Sequence, residues 1–276
     1  MKLDNGILQL ELTNLGGEMA SLKWHGKDIL YKGDGPYWKG KNPTLFPFIS
    51  GYKGDEYILD NKAYSCEKHG FIRQSKLDIV TNNENEVTMR LCDNEYTIKR
   101  YPFKFQYGIT YSLDNNKVLI DYEIVNKDHI DMPFTFGIHP GFIVSDFNKA
   151  RIIFNDDKEA RLFKYQEGVE ETVPLGVYEG SKLINDICNL ETVMLKDIKS
   201  KEIILETEEY SVKVDISKFK YLAFWTASKD ANYLCIEPWI SMNEIWNSDT
   251  PFRDDFELEH LKPNEKFNIN YSIEII

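Results

Sequence analysis

The amino-acid sequence predicts an all-β protein, an antiparallel β-sandwich with few short helices. Three observations predict it: apolar residues alternate with polar ones along most of the chain, Gly/Asn/Asp turn signals recur between these runs, and no long stretch carries helical periodicity. Near the start, Leu8, Leu10 and Leu12 share one face of a strand. Phe103, Phe105, Tyr107, Ile109 and Tyr111 alternate with Lys104, Gln106, Gly108 and Thr110. Ile120, Tyr122 and Ile124 repeat the pattern, as do Val212 and Val214. Phe267, Ile269, Tyr271, Ile273 and Ile275 close the chain in the same way. Each such run reads as a strand with one face buried and one wet. Asn5-Gly6, His25-Gly26, Asp34-Gly35-Pro36 and Asp114-Asn115-Asn116 lie between runs, at spacings that suit hairpins and meanders. Helix is expected only in short pieces, near residues 184–189 and 238–247. No linker, repeat or low-complexity tract interrupts the pattern, so one domain is expected over residues 1–276.

Composition narrows the function. The 276 residues are 42% hydrophobic, enough for a substantial core, and 13% aromatic, which suits both strands and the flat faces that sugar sites use. The formal net charge of −12 argues against nucleic acid and anionic membrane surfaces as partners. A local cluster of Lys39, Lys41 and Arg73 could still meet a phosphate; a solvated polar loop is the plainer reading of the two lysines. The four cysteines, Cys66, Cys92, Cys188 and Cys235, form no CxxC pair, against a zinc ribbon or a disulfide framework. With no apolar leader at Met1-Lys2-Leu3-Asp4 and no bilayer-length apolar stretch, a cytoplasmic protein is expected.

Three segments break the strand pattern with residues that carry chemistry. In His69-Gly70-Phe71-Ile72-Arg73, a histidine precedes a glycine that lets backbone approach a ligand, and Arg73 offers a guanidinium fork. In Gly137-Ile138-His139-Pro140-Gly141-Phe142, an imidazole sits in a stiff Gly/Pro frame, as general-acid work requires; a buried histidine satisfied by a carbonyl reads equally well. In Cys235-Ile236-Glu237-Pro238-Trp239, a carboxylate falls in an apolar run. Burying it unpaired is expensive, so it is either functional or ion-paired, for instance with Arg73. The chain has no serine nucleophile elbow and no phosphate-binding glycine loop. His69, His139 and Glu237 could nominally hold zinc or iron, but lack the close ligand spacing usual in such sites.

In their order along the chain these segments resemble the aldose 1-epimerase family. Pro43-Thr44-Leu45-Phe46-Pro47-Phe48 followed by His69-Gly70-Phe71-Ile72-Arg73 is similar to the P-x-L-F-P and H-G-F-A-R pattern of its LacX-like branch. Tyr101-Pro102-Phe103, Asn126, the His139 and Glu237 segments and Leu261-Lys262-Pro263-Asn264-Glu265 also fit, so the resemblance spans nearly the whole chain. It implies a galactose-mutarotase-like β-supersandwich with a sugar cleft. It implies Glu237 as the base that takes the anomeric proton and His139 as the acid that protonates the ring oxygen. His69, Arg73 and Trp239 match substrate-binding positions. An acidic residue that meets sugar hydroxyls corresponds best to Glu191, with Asp215 second. Loop 241–255, with Trp246, Arg253, Asp254 and Asp255, is expected to border the cleft. Where relatives carry an Asn-Arg pair, this chain has Leu45-Phe46-Pro47-Phe48. The expected partner is a small sugar, a hexose or hexose phosphate, with no metal and no cofactor, handled by a monomer or homodimer. A carbohydrate-binding or sensing sandwich without catalysis is the alternative.

Overall fold

The computed structural model describes residues 1–164, 169–190, 192–242, 252 and 258–276. Its framework is two large antiparallel sheets. A nine-stranded sheet runs in the order Val177–Glu179, Arg151–Phe154, Glu202–Glu206, Ser211–Asp215, Lys266–Ile275, Lys117–Asn126, Phe105–Asp114, Glu86–Cys92 and Asp78–Asn82. In the second sheet, Val169–Pro174, Glu159–Lys164, Val193–Lys196, Tyr221–Trp225, Tyr233–Trp239, Gly137–Ile138 and Thr44–Leu45 follow one another, and Gly141–Ile143 also pairs with Tyr233–Trp239. A four-stranded sheet of the first 28 residues adds Leu3, Leu8, Leu10, Leu12 and Met19 to the same core.

The alternating runs become strands because one face of each is needed for burial. Tyr107, Ile109 and Tyr111 point into the core while Gln106, Gly108 and Thr110 stay half-buried. Ile120, Tyr122, Ile269, Tyr271 and Ile273 on the two neighbouring strands extend the same buried face. The Asp114–Lys117 hairpin turns through Asn115, whose φ of 52° is a left-handed angle that asparagine tolerates. All four cysteines are free.

One expectation holds and two need amending. The strand expected from Phe103 starts at Phe105, because Pro102 has no N–H and the Phe103 N–H turns back to the Tyr101 carbonyl. The helix expected around 184–189 is present as Gly180–Leu190. The one expected around 238–247 is not helical at its start: Pro238 and Trp239 complete the strand Tyr233–Trp239, paired on both sides. Residues 243–247 lie outside the described residues. Among the described residues, no helix is long and apolar enough to cross a membrane.

Candidate active site

Strand register builds the site. Gly137 pairs with Trp239, and Gly141 pairs with Cys235, in one continuous antiparallel register. Carried through the break at His139-Pro140, that register sets His139 directly opposite Glu237. Cross-strand neighbours project to the same side of a sheet. The His139 Nε2 atom therefore lies 3.0 Å from the Glu237 Oε1 atom. Pro140 has no N–H for the ladder, which is why two short strands replace one long one. Its carbonyl still accepts the Ile236 N–H. On the other side of Glu237 the register partner is Ala223, whose small side chain leaves room beside the carboxyl.

Glycines seat the aromatic walls. A Cβ at Gly137 would run into the Trp239 ring, and one at Gly141 would press on the Trp38 indole. Trp38 stacks on the His139 ring at 5.1 Å between centroids, and Trp225 meets it edge-on at 5.6 Å. Tyr31 holds Trp38 by stacking and by donating its hydroxyl to the Trp38 carbonyl at 2.8 Å. Both tryptophans remain partly exposed, so the histidine has an aromatic approach to solvent.

His69 arrives from a different element. It and Gly70 adopt successive left-handed angles, φ of 66° and 70°. Gly70 bridges to Phe46, and a Cβ there would overlap the Phe46 carbonyl, so only glycine fits. The turn delivers the His69 ring to 5.8 Å from that of His139, nearly perpendicular to it. Its Nδ1 accepts the Ser50 backbone N–H at 3.0 Å, leaving the other nitrogen for a ligand.

Burial governs the charges. It pushes the Glu237 carboxyl well above the usual carboxylate range, with the Lys68 ammonium and Trp239 indole pulling the other way. It pushes His139 well below the usual histidine range, helped by Arg73 and Lys68. His69 moves down for the same reason, with His139, Lys68 and Arg73 adding to the effect. Burial thus opposes charge on both members of the pair, which face each other with one proton between them. The alternative ion-pair partner for Glu237 is thereby answered: its close contact is His139, not Arg73.

Arg73 borders this group, and its Nε is buried without a hydrogen-bond partner. Beside it sits Glu18, whose carboxyl burial raises to about 7 while the Asn42 N–H, Lys41 and Arg73 oppose the rise. Lys39 does not join them; it is exposed and donates to the Gly35 carbonyl at 2.9 Å. Trp239 packs with Leu45, Ile49 and Met194. Asp215 lies in the nine-stranded sheet and accepts the Ser217 N–H. Glu191, Trp246, Arg253, Asp254 and Asp255 lie outside the described residues. The nominal metal set is also changed: the ligand atoms that converge are those of His139, Cys235 and Glu237, and His69 is not among them. The sequence reading missed Trp38, Trp225 and Glu18. Trp38 follows the Asp34-Gly35-Pro36 turn signal, but nothing local shows which ring it covers.

The two-sheet β-sandwich with a buried His/Glu pair under tryptophan walls has a galactose mutarotase-like fold. The aldose 1-epimerase family model matches residues 1–274, and the chain belongs to that family. The chromosomally encoded protein LacX of Lactococcus lactis subsp. lactis is 22% identical, over 100% of this chain and 99% of its own length. A galactose mutarotase related enzyme from Lactobacillus acidophilus superposes with a TM-score of 0.92 at 23% identity, over 100% of this chain and 97% of that one. A galactose mutarotase-like protein from Lactobacillus casei ATCC 334 gives 0.88 at 23% identity, over 100% and 99%. The galactose 1-epimerase of Lactobacillus acidophilus NCFM, at 12% identity, gives 0.73 over 99% and 92%.

Proposed function

We propose that the protein is an aldose 1-epimerase, interconverting the α and β anomers of a hexose or hexose phosphate by acid/base ring opening. The observation that carries the proposal is the His139–Glu237 contact, one imidazole and one carboxyl 3.0 Å apart in a buried site. With the pair's single proton on His139, Glu237 is the carboxylate that takes the proton of the anomeric hydroxyl. The C1–O5 bond breaks, C1 becomes an aldehyde carbon, and O5 takes a proton from His139. Rotation about C1–C2 presents the other face, and the reverse transfers close the ring. One proton leaves the pair and one enters it, so its proton count is unchanged and no further reactant is needed. Each transfer can contribute about 10²–10⁴-fold. His69 and Arg73 orient hydroxyls, and Trp38 and Trp225 offer faces to the sugar's C–H surface.

The pH profile follows. The pair works with one proton. Falling pH adds a second to His139, and burial places that limb below the ordinary histidine value of 6.5. Rising pH strips the shared proton from Glu237, and burial places that limb above the ordinary carboxyl value of 4.5. The expected kcat/KM plateau therefore covers the interval between these two limbs. An acid limb at or above the ordinary histidine value would contradict this account.

Polarimetry or NMR of freshly dissolved α-glucose, α-galactose and hexose 6-phosphates tests the reaction itself. Faster anomeric equilibration than in buffer is the expected outcome. If none of these sugars equilibrates faster with protein, the reading fails and a binding or sensing role takes its place. The cytoplasmic location, the single domain and the monomeric or homodimeric state belong to the same proposal.

A further inference from the structure

Cys235 has no part in the ring-opening chemistry, yet it stands two residues before Glu237 on the same face of one strand. Its thiol is fully buried. One ligand atom each from Cys235, His139 and Glu237 lies within 4.8 Å of the others, and all three residues are buried. A tetrahedral zinc ion with bonds of roughly 2.0–2.3 Å separates its ligands by about 3.3–3.7 Å. The difference is on the order of 1 Å. The ligand set is also the right one chemically: thiolate, imidazole and carboxylate are all zinc ligands, and zinc is held in proteins by three such ligands with a fourth position left to water. One thiolate and one carboxylate balance a dication, so the loaded site carries no net buried charge.

We propose that His139, Cys235 and Glu237 form an inhibitory site for zinc and chemically similar divalent cations. The ion enters by the route the sugar uses, past Trp38 and Trp225. It takes the Glu237 and His139 atoms that exchange protons with the sugar, while protons from the bound ligands pass to solvent. The inhibition rests on the acid/base reading above; the binding does not.

The test has two arms on the full chain. In the first, Zn²⁺ binding is followed by calorimetry, and Co²⁺ replaces it as a spectroscopic probe. One ion per chain is expected at this site, with a thiolate-to-cobalt charge-transfer band. Both Cys235→Ala and Cys235→Ser should lose the band and weaken Zn²⁺ binding at least tenfold, about the low end of what even an outer-shell contact is worth. Stoichiometric binding that survives both substitutions, or no binding to a folded wild type, overturns the site. In the second arm, Zn²⁺ should abolish anomerisation reversibly, with a chelator restoring it, and the Cys235 variants should need at least about tenfold more metal for the same inhibition. Activation by Zn²⁺, or equal inhibition of all three proteins, overturns the inhibitory role. A wild type that is inactive without metal sinks the acid/base reading, while the cobalt band still decides the site.

Discussion

The two large sheets use strands in opposite ways. In the nine-stranded sheet, residues 105–112 alternate strictly between buried and half-exposed. In the other, Tyr233–Trp239 is buried at every position. The first kind of strand keeps polar side chains out of the core by orientation. The second cannot, so a polar side chain on it must find a partner or a use. Glu237 finds His139. The comparison shows where to look for chemistry: in the strand buried on both faces that nevertheless carries a carboxyl.

Breaking each side of the comparison should have different consequences. The largest is expected at Glu237→Gln, which keeps the shape and removes the base. Anomerisation should fall by about 10²–10⁴ while thermal stability holds. Activity within about tenfold of wild type would show that the carboxyl is structural. Ile273→Ala in the nine-stranded sheet should do the reverse. It should cost about 2–5 kcal/mol of stability through a core cavity, measured by chemical denaturation, and leave kcat of the folded fraction intact. A matching loss of kcat at full folding would show that the nine-stranded sheet is coupled to the site.

Gly70→Ala sharpens the boundary between the two. A left-handed angle and the Phe46 carbonyl oppose any side chain there, so a loss of at least about 2 kcal/mol is expected, with a raised KM as His69 shifts. An unchanged KM would remove His69 from the site. The smallest effect is expected at Tyr111→Phe. It deletes the 2.8 Å hydrogen bond to the Gly17 carbonyl and should cost about 1 kcal/mol without altering activity. Calorimetry and polarimetry on one preparation would separate these outcomes.

Much of this was legible in the sequence because period-two burial is a local property. Leu8, Leu10 and Leu12, or Ile269, Tyr271 and Ile273, announce their sheet face without knowledge of any partner. The pattern failed where partners mattered: a short helix is expected around 238–247, yet pairing of Trp239 with Gly137 and Tyr221 keeps Pro238 and Trp239 in the strand. For the site, residue types that are costly to bury singled out His69, His139 and Glu237, and their order along the chain carried the family resemblance. That His139 and Glu237 face each other across one register is a property of two segments about a hundred residues apart. The stacking of Trp38 on His139, the placing of Glu18 beside Arg73, and the convergence of Cys235 on the proton-sharing pair are of the same kind. The sequence alone determined which side chains are too polar for the core and which strands hold it. Only the tertiary structure decided which of them meet, because contact between distant segments depends on sheet register, and register is set by the packing of the whole sandwich.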